Sequence, residues 1–324
     1  MEIKVYKTYE ITEELWQKIA DGFIESFERN VSPDRLRNSF CTHNPLGYGY
    51  HAVAMAENGE VAGYNVFSPT FYKGNIKVVV SGSTYVRPQY RNESMFIFLN
   101  MMRSLRKVVI SDGFNVEVGV PNNNSRDFAA KMLKLKYVGD LNYYILPCKI
   151  SKCLNKPFLR FVDSFVPCIL YFHLWVQKLW SSLFNTKEKE VKYEIESSEE
   201  YLKARFKGNY KHIKKGDIES YYCLYDEDGK NTAYLMDFRE KGKRSSRSLN
   251  YAVRTIQSNE HPDAILFVGL LRLKQFSLFK VPKKFEPKPL SLTYYVLNNE
   301  DTERFSDMDD MSNWNFSLMN FDVR

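Results

Sequence analysis

The sequence predicts an α/β (α+β) fold of two lobes, each a mixed, mostly antiparallel sheet flanked by helices. Three observations carry this prediction. Residues 1–147 alternate short β-branched and aromatic runs with helical periodicity, in the order β-α-α-β-β-β-α-β-α-β. An order of that kind begins antiparallel, through a meander, and turns parallel across one long helix. Second, ENGEVAGY at 57–64 aligns without a gap with EDGKNTAY at 227–234, and the sequence helix, hairpin, helix, strand recurs around it. Third, 22 tyrosines and 23 phenylalanines in 324 residues favour aromatic cross-strand packing, over a length sufficient for two cores. The expected division is 1–149, then an apolar connector and charged linker over 150–190, then 191–324.

The elements follow in order. EIKVYK reads as a strand. TEELWQKIADGFIESF has Thr12 as cap and Leu15, Trp16, Ile19, Phe23 and Phe27 at helical spacing. A short helix opens at Ser32-Pro33, where proline suits the first turn. YHAVAMA, EVAGYNVFSPTFY and IKVVVSGSTYV are strands, the first two joined at Asn58-Gly59 by an expected type I′ turn. Ser81-Gly82-Ser83, inside the third, signals a backbone irregularity. MFIFLNMMRSLRKVVISDG is a buried helix closed by Gly113, followed by strand NVEVGV, the loop PNNN and helix SRDFAAKMLKL. KYVGDLNYYILP gives one or two strands ending at Pro147. In the second half come the helix SSEEYLKARF, the hairpin YYCLYDEDGKNTAYLMDF, the helix SSRSLNYAVRTIQ and the strand AILFVGLL.

The run FLRFVDSFVPCILYFHLWVQKLWSSLF within 150–190 admits three readings. It is a helical pair packed between the lobes, a membrane-surface amphipathic segment, or a span. Arg160, Asp163, Lys178 and Pro167 make the last a poor fit.

Composition narrows the function classes. A net charge of +7 and a pI near 8.9 suit an anionic partner without choosing one. Five scattered cysteines without a CxxC pair read as reduced thiols, and the amino terminus lacks a signal-peptide core. The expected location is cytoplasmic or membrane-associated, with peripheral membrane contact through 158–184. Five isolated histidines provide no metal site. GYGYHA at 47–52 has a dinucleotide-like glycine pattern but opens a strand, and DMDDMSN at 307–313 lacks the glycine and late glutamate of a calcium loop.

VRPQYRNES at 86–94 is the segment with chemical content. Pro88 ends a strand, and the amides from Arg91 onward begin a helix whose N-terminus is suited to holding an anion. Arg91 and Arg87 supply charge. The plainer reading is a strand-to-helix turn capped by Asn92 or Ser94.

A strand ending in Val-x-Pro-x-Tyr-Arg, a helix, a strand, Pro-Asn-x-Asn-Ser and a second helix together resemble the GCN5-related N-acetyltransferases over residues 1–147. The second half resembles a degenerate copy lacking that turn. The resemblance implies that an acyl-coenzyme A, most simply acetyl-CoA, lies between two splayed strands. It implies that Tyr85 and Val86 offer backbone to the pantetheine arm. Arg91, Asn92, Glu93, Ser94, Met95 and Phe96 would form the pyrophosphate turn, and Asn124 would sit near the thioester. The family's small turn residues stand here as Asn92, Ser94 and Phe96, and Met132 replaces its usual tyrosine acid. Glu117 is the candidate base and Tyr85 or Tyr64 the candidate acid. The closing NWNFSLMNFDV resembles two-lobed relatives associated with bacterial polysaccharide synthesis, which implies an amino sugar or another small amine as acceptor, with no DNA partner. Two alternatives stand beside this: a non-catalytic binding or scaffold protein of the same fold, and a two-lobed aminoacyl transferase using tRNA.

Overall fold

The structure, a computed structural model, describes residues 1–28, 30–42, 44–121, 126, 130–227 and 229–321. Its strands are β1 (Glu2–Lys7), β2 (Tyr50–Met55), β3 (Val61–Tyr72), β4 (Ile76–Val86), β5 (Val116–Gly119), β6 (Lys136–Asp140), β7 (Asn142–Pro147) and β8 (Tyr193–Glu194). They continue as β9 (Lys211–Lys215), β10 (Ile218–Glu227), β11 (Lys230–Glu240), β12 (Ala264–Gly269), β13 (Phe279–Lys280), β14 (Ser291–Val296) and β15 (Trp314–Asn315). The first sheet is flanked by α1 (Glu13–Phe27), α2 (Pro33–Thr42) and α3 (Ser94–Ser111).

Among the described residues two large sheets form, mixed and mostly antiparallel as the sequence predicts, beside a short parallel pair of β8 with β15. The first runs β1-β2-β3-β4-β5-β14-β6 and the second β13-β7-β12-β11-β10-β9. In each, a meander gives way to one parallel step across a helix: β4 to β5 across α3, and β11 to β12 across the Ser246–Glu260 helix. Each sheet is then completed by a strand from the other half of the chain. β14 lies between β5 and β6, while β7 lies between β12 and β13. Only Leu141 separates β6 from β7, yet the two strands belong to different sheets. The segments 1–149 and 191–324 are therefore interleaved.

Local chemistry explains the flanking elements. Thr12 Oγ1 accepts from the Leu15 amide, and α1 buries Trp16, Ile19 and Ala20 against β3 and β4. On the opposite face α3 buries Ile97, Met101, Leu105 and Val109 with Val79 and Phe67. The β2–β3 hairpin forms, but not through a type I′ turn. In this turn only Gly59 has a positive φ (80°), and its amide bonds to the Ala56 carbonyl, so a turn closes onto a glycine in the left-handed region.

The connector is a helical pair, as one reading had it, but it does not lie between the sheets. That space holds a single buried cluster drawing Tyr72, Val78 and Val118 from the first sheet, Tyr143 and Tyr234 from the second, and Trp314 and Phe316 from the closing segment. The helix Val166–Leu183 instead packs on the outer face of the second sheet, with Leu146, Val253 and Phe267.

Candidate active site

The site begins with a break in pairing. β3 and β4 are in register from Tyr72↔Ile76 to Val66↔Gly82, then resume at Tyr64↔Tyr85, so β4 carries one extra residue there. Ser83 adopts φ 45° within this bulge. The irregularity expected at Ser81-Gly82-Ser83 is thus a β-bulge, which bends the strand. Pairing of β4 with β5 runs only from Val78↔Val116 to Ser81↔Gly119, whereas β4 continues to Val86. Beyond Ser81 one edge of β4 has no strand partner among the described residues.

A cavity of about 460 Å³ opens at this point. Ser81, Gly82 and Ser83 of β4 and Val120 after β5 form one wall, with Val66, Ser68 and Thr70 of β3 beside them. Phe23 and Phe27 of α1 and Arg35, Leu36 and Ser39 of α2 form another. The far end comes from the second half of the chain: Tyr201, Arg205, Asn320 and Phe321. Arg205 is buried, with Nε 2.9 Å from the Met319 carbonyl and Nη1 3.2 Å from the Tyr210 hydroxyl. Burial keeps the Tyr201 phenol protonated above its ordinary range. Arg35 is exposed at the rim and has no ion pair among the described residues. Among the described residues, none of those lining the cavity is a carboxylate or histidine.

None of the three candidate catalysts lines this space. The Tyr85 hydroxyl donates to the Ile19 carbonyl at 2.8 Å, and its ring covers Gly22, where a Cβ would come within 2.5 Å of the phenol oxygen. Burial raises this phenol as well, but the proton is held against α1. Tyr64 stacks on Tyr85, and its hydroxyl lies 2.7 Å from His51 Nδ1. Glu117 is fully buried, its carboxylate 2.6 Å from Arg106 Nε, while Arg106 lies 3.7 Å from the Tyr295 ring centroid. Burial pushes the Glu117 pKa up, with Arg106 opposing. Side chains alternate along β5: Val116 and Val118 enter the core between the sheets, and Val120, two residues on, lines the cavity. Glu117 therefore points the other way, and its role is an internal ion pair.

The turn after β4 is more wound than expected. Pro88–Glu93 is a 3₁₀ helix running directly into α3, and the amides of Tyr90 and Ser94 already donate to the carbonyls of Arg87 and Arg91. Arg87 turns inward, with Nη2 3.4 Å from the Lys18 carbonyl and Nε 3.5 Å from Glu25. Arg91, Asn92 and Glu93 are exposed, as are Met95 and Phe96, while Ser94 and Val86 are partly covered. Asn124 lies outside the described residues. Sequence reasoning missed Tyr201, Arg205 and Asn320, because their distance from β4 along the chain leaves no local signal.

No protein-family model matches this sequence, and no curated protein matches it. Solved structures do. A GCN5-related N-acetyltransferase from Anabaena variabilis superposes with a TM-score of 0.55 at 10% identity, covering 92% of this chain and 73% of that one. A GCN5-related N-acetyltransferase from Kribbella flavida gives 0.54 at 10% identity, with 91% and 71% covered. The chain has the fold of the GCN5-related N-acetyltransferases.

Proposed function

We propose that this chain, built on the GCN5-related N-acetyltransferase fold, is an acyl-CoA-dependent N-acyltransferase, with acetyl-CoA as the simplest donor. The observation that carries this reading is the bulged β4, which parts from β5 beyond Ser81 and Gly119 and leaves a strand edge facing the cavity. That edge fits a pantetheine arm, with backbone groups of residues 83–86 to hold it. At the pyrophosphate end the fit rests on charge: Arg91 is exposed with no partner among the described residues, while two of the turn amides are already bonded. Bound acetyl-CoA would supply the acyl group as a thioester. The chain's part is to orient that thioester, exclude water with Phe23, Phe27 and Phe321, and provide a proton. We assign proton donation to Tyr201, the only phenol lining the cavity among the described residues.

The acceptor is read from the same walls. Among the described lining residues, two arginines and no carboxylate suit a small amine that also bears a phosphate or carboxylate, such as a phosphorylated or nucleotide-linked amino sugar of polysaccharide synthesis. Thiol release from acetyl-CoA across a panel of amines tests this. Turnover with anionic amino sugars, and not with their neutral counterparts, is the expected result.

A non-catalytic reading is favoured by one observation: Tyr85 and Glu117 are both locked in internal contacts. Calorimetry separates the two readings. Acetyl-CoA binding without thiol release across the whole panel would make this a binding module of the same fold.

A further inference from the structure

We propose that the connector helix and the neighbouring segment 271–288 form one surface that lies in the plane of an anionic lipid bilayer. The helix Val166–Leu183 buries Val166, Leu170 and Leu174, one stripe at a spacing of four, against the second sheet. Its opposite face exposes Ile169, Phe172, Trp175, Val176, Leu179 and Leu183, where a water-facing helix would carry charges. Lys178 is the only charged residue from 166 to 184. Phe158, Phe161 and Phe165 extend the patch ahead of the helix, each about two-thirds exposed at 64–69%.

Segment 271–288 continues it sideways. His173 Nε2 lies 2.9 Å from the Phe276 carbonyl, the His173 and Phe279 rings are 5.3 Å apart, and Trp180 meets Phe276 at 6.0 Å. Phe276, Phe279 and Phe285 are themselves exposed. Monomeric surfaces rarely leave so many neighbouring aromatic side chains in water without a partner.

Charge selects the occupant. Residues 149–184 and 271–288 hold 11 Lys and Arg against 2 Asp and Glu, whereas the whole chain holds 46 against 39. The net positive charge of the protein is thus concentrated in these two segments, and the remainder is slightly acidic. Both acids are engaged internally, Asp163 with Ser151 and Glu286 with Lys283. A second copy docking by the same face would set like charge against like charge. A spanning arrangement is opposed by geometry. No single described helix is long and apolar enough to cross, the pair Pro157–Asp163 and Val166–Leu183 is bent by 54°, and the inner stripe is committed to the protein core. An anionic bilayer meets both halves of the surface, with aromatic side chains at the acyl boundary and lysines among the head groups.

Co-sedimentation of the full chain with phosphatidylcholine vesicles, with and without phosphatidylglycerol, tests this. Binding is expected with the anionic vesicles and should weaken about tenfold or more without the anionic lipid or in high salt. The double variant Phe172→Asp/Trp175→Asp should lose binding to a similar degree. So should Lys280→Glu/Lys284→Glu/Lys288→Glu, which leaves the helix untouched and guards against a folding artefact. Acetyl-CoA binding should be unchanged in both, so failure here is separable from failure of the acyltransferase reading. Parent protein that ignores anionic vesicles, or variants that bind them equally well, would overturn the proposal. So would a parent dimer that the aspartates dissociate without any vesicle binding, which would give this face to a second copy.

Discussion

Arg91 and Arg87 sit four residues apart, and the fold gives them opposite fates. Arg87 is drawn down to α1 and Glu25, while Arg91 stands in solvent in the turn after β4. Charge-assisted hydrogen bonds contribute roughly 1.5–3 kcal/mol each. Arg91→Ala should therefore weaken acetyl-CoA binding by about ten- to a hundredfold in calorimetry while leaving the unfolding midpoint unchanged. A second residue-scale prediction concerns His51, which lies between Thr8 Oγ1 and the Tyr64 hydroxyl at 2.7 Å each, edge-on to Trp16. Burial lowers its pKa to about 3. The folded imidazole thus stays neutral where the unfolded one takes a proton, so this contribution is complete above the unfolded value of about 6.5 and is lost as pH falls towards 3. By about pH 5 the loss should reach roughly 2 kcal/mol. Urea unfolding across that range should show a shallower acid decline for His51→Asn than for the parent; parallel declines would mean that the imidazole is not the group responsible.

At the scale of the element, the bulge in β4 decides what faces the site. Val79 and Tyr85 share a parity, yet Val79 enters the α3 core and Tyr85 the α1 core, because one extra residue between them reverses the alternation. The sequence announced an irregularity at Ser81-Gly82-Ser83, but not its size, and so could not say which way Tyr85 points. Glu117 was hidden differently: β5 is a short strand with both faces buried, where polarity gives no clue to orientation. The Asn58-Gly59 hairpin, the Thr12 cap and the Gly113 stop were legible because each is local chemistry. Ser83, held at φ 45°, ties the bulge to its residue. Ser83→Val places a β-branched side chain in a conformation it disfavours and should cost about 1–2 kcal/mol of stability. Acetyl-CoA affinity should fall with it, since the strand edge that faces the cleft would shift; an unchanged affinity would separate the bulge from the site.

At the scale of the molecule, the halves complete each other. SLTYYV at 291–296 carries no local mark of its place between β5 and β6, some 170 residues from the first of them, and pairing over such a distance cannot be read from a window. The same interleaving brings Tyr201, Arg205 and Asn320 to a cavity whose other walls come from the first half. A fragment of residues 1–149 lacks β14, which exposes the edges of β5 and β6. It should show no cooperative unfolding transition by circular dichroism; a sharp transition in the isolated fragment would contradict the interleaved core. The central claim is that the edge of β4 beyond the bulge receives an acyl-CoA. Amide hydrogen exchange of the full chain with and without acetyl-CoA tests it most directly. Slowed exchange is expected at residues 82–86 and 91–96, with the distant β9–β10 ladder unaffected. Exchange unchanged from 76 to 96 at millimolar acetyl-CoA would contradict the assignment.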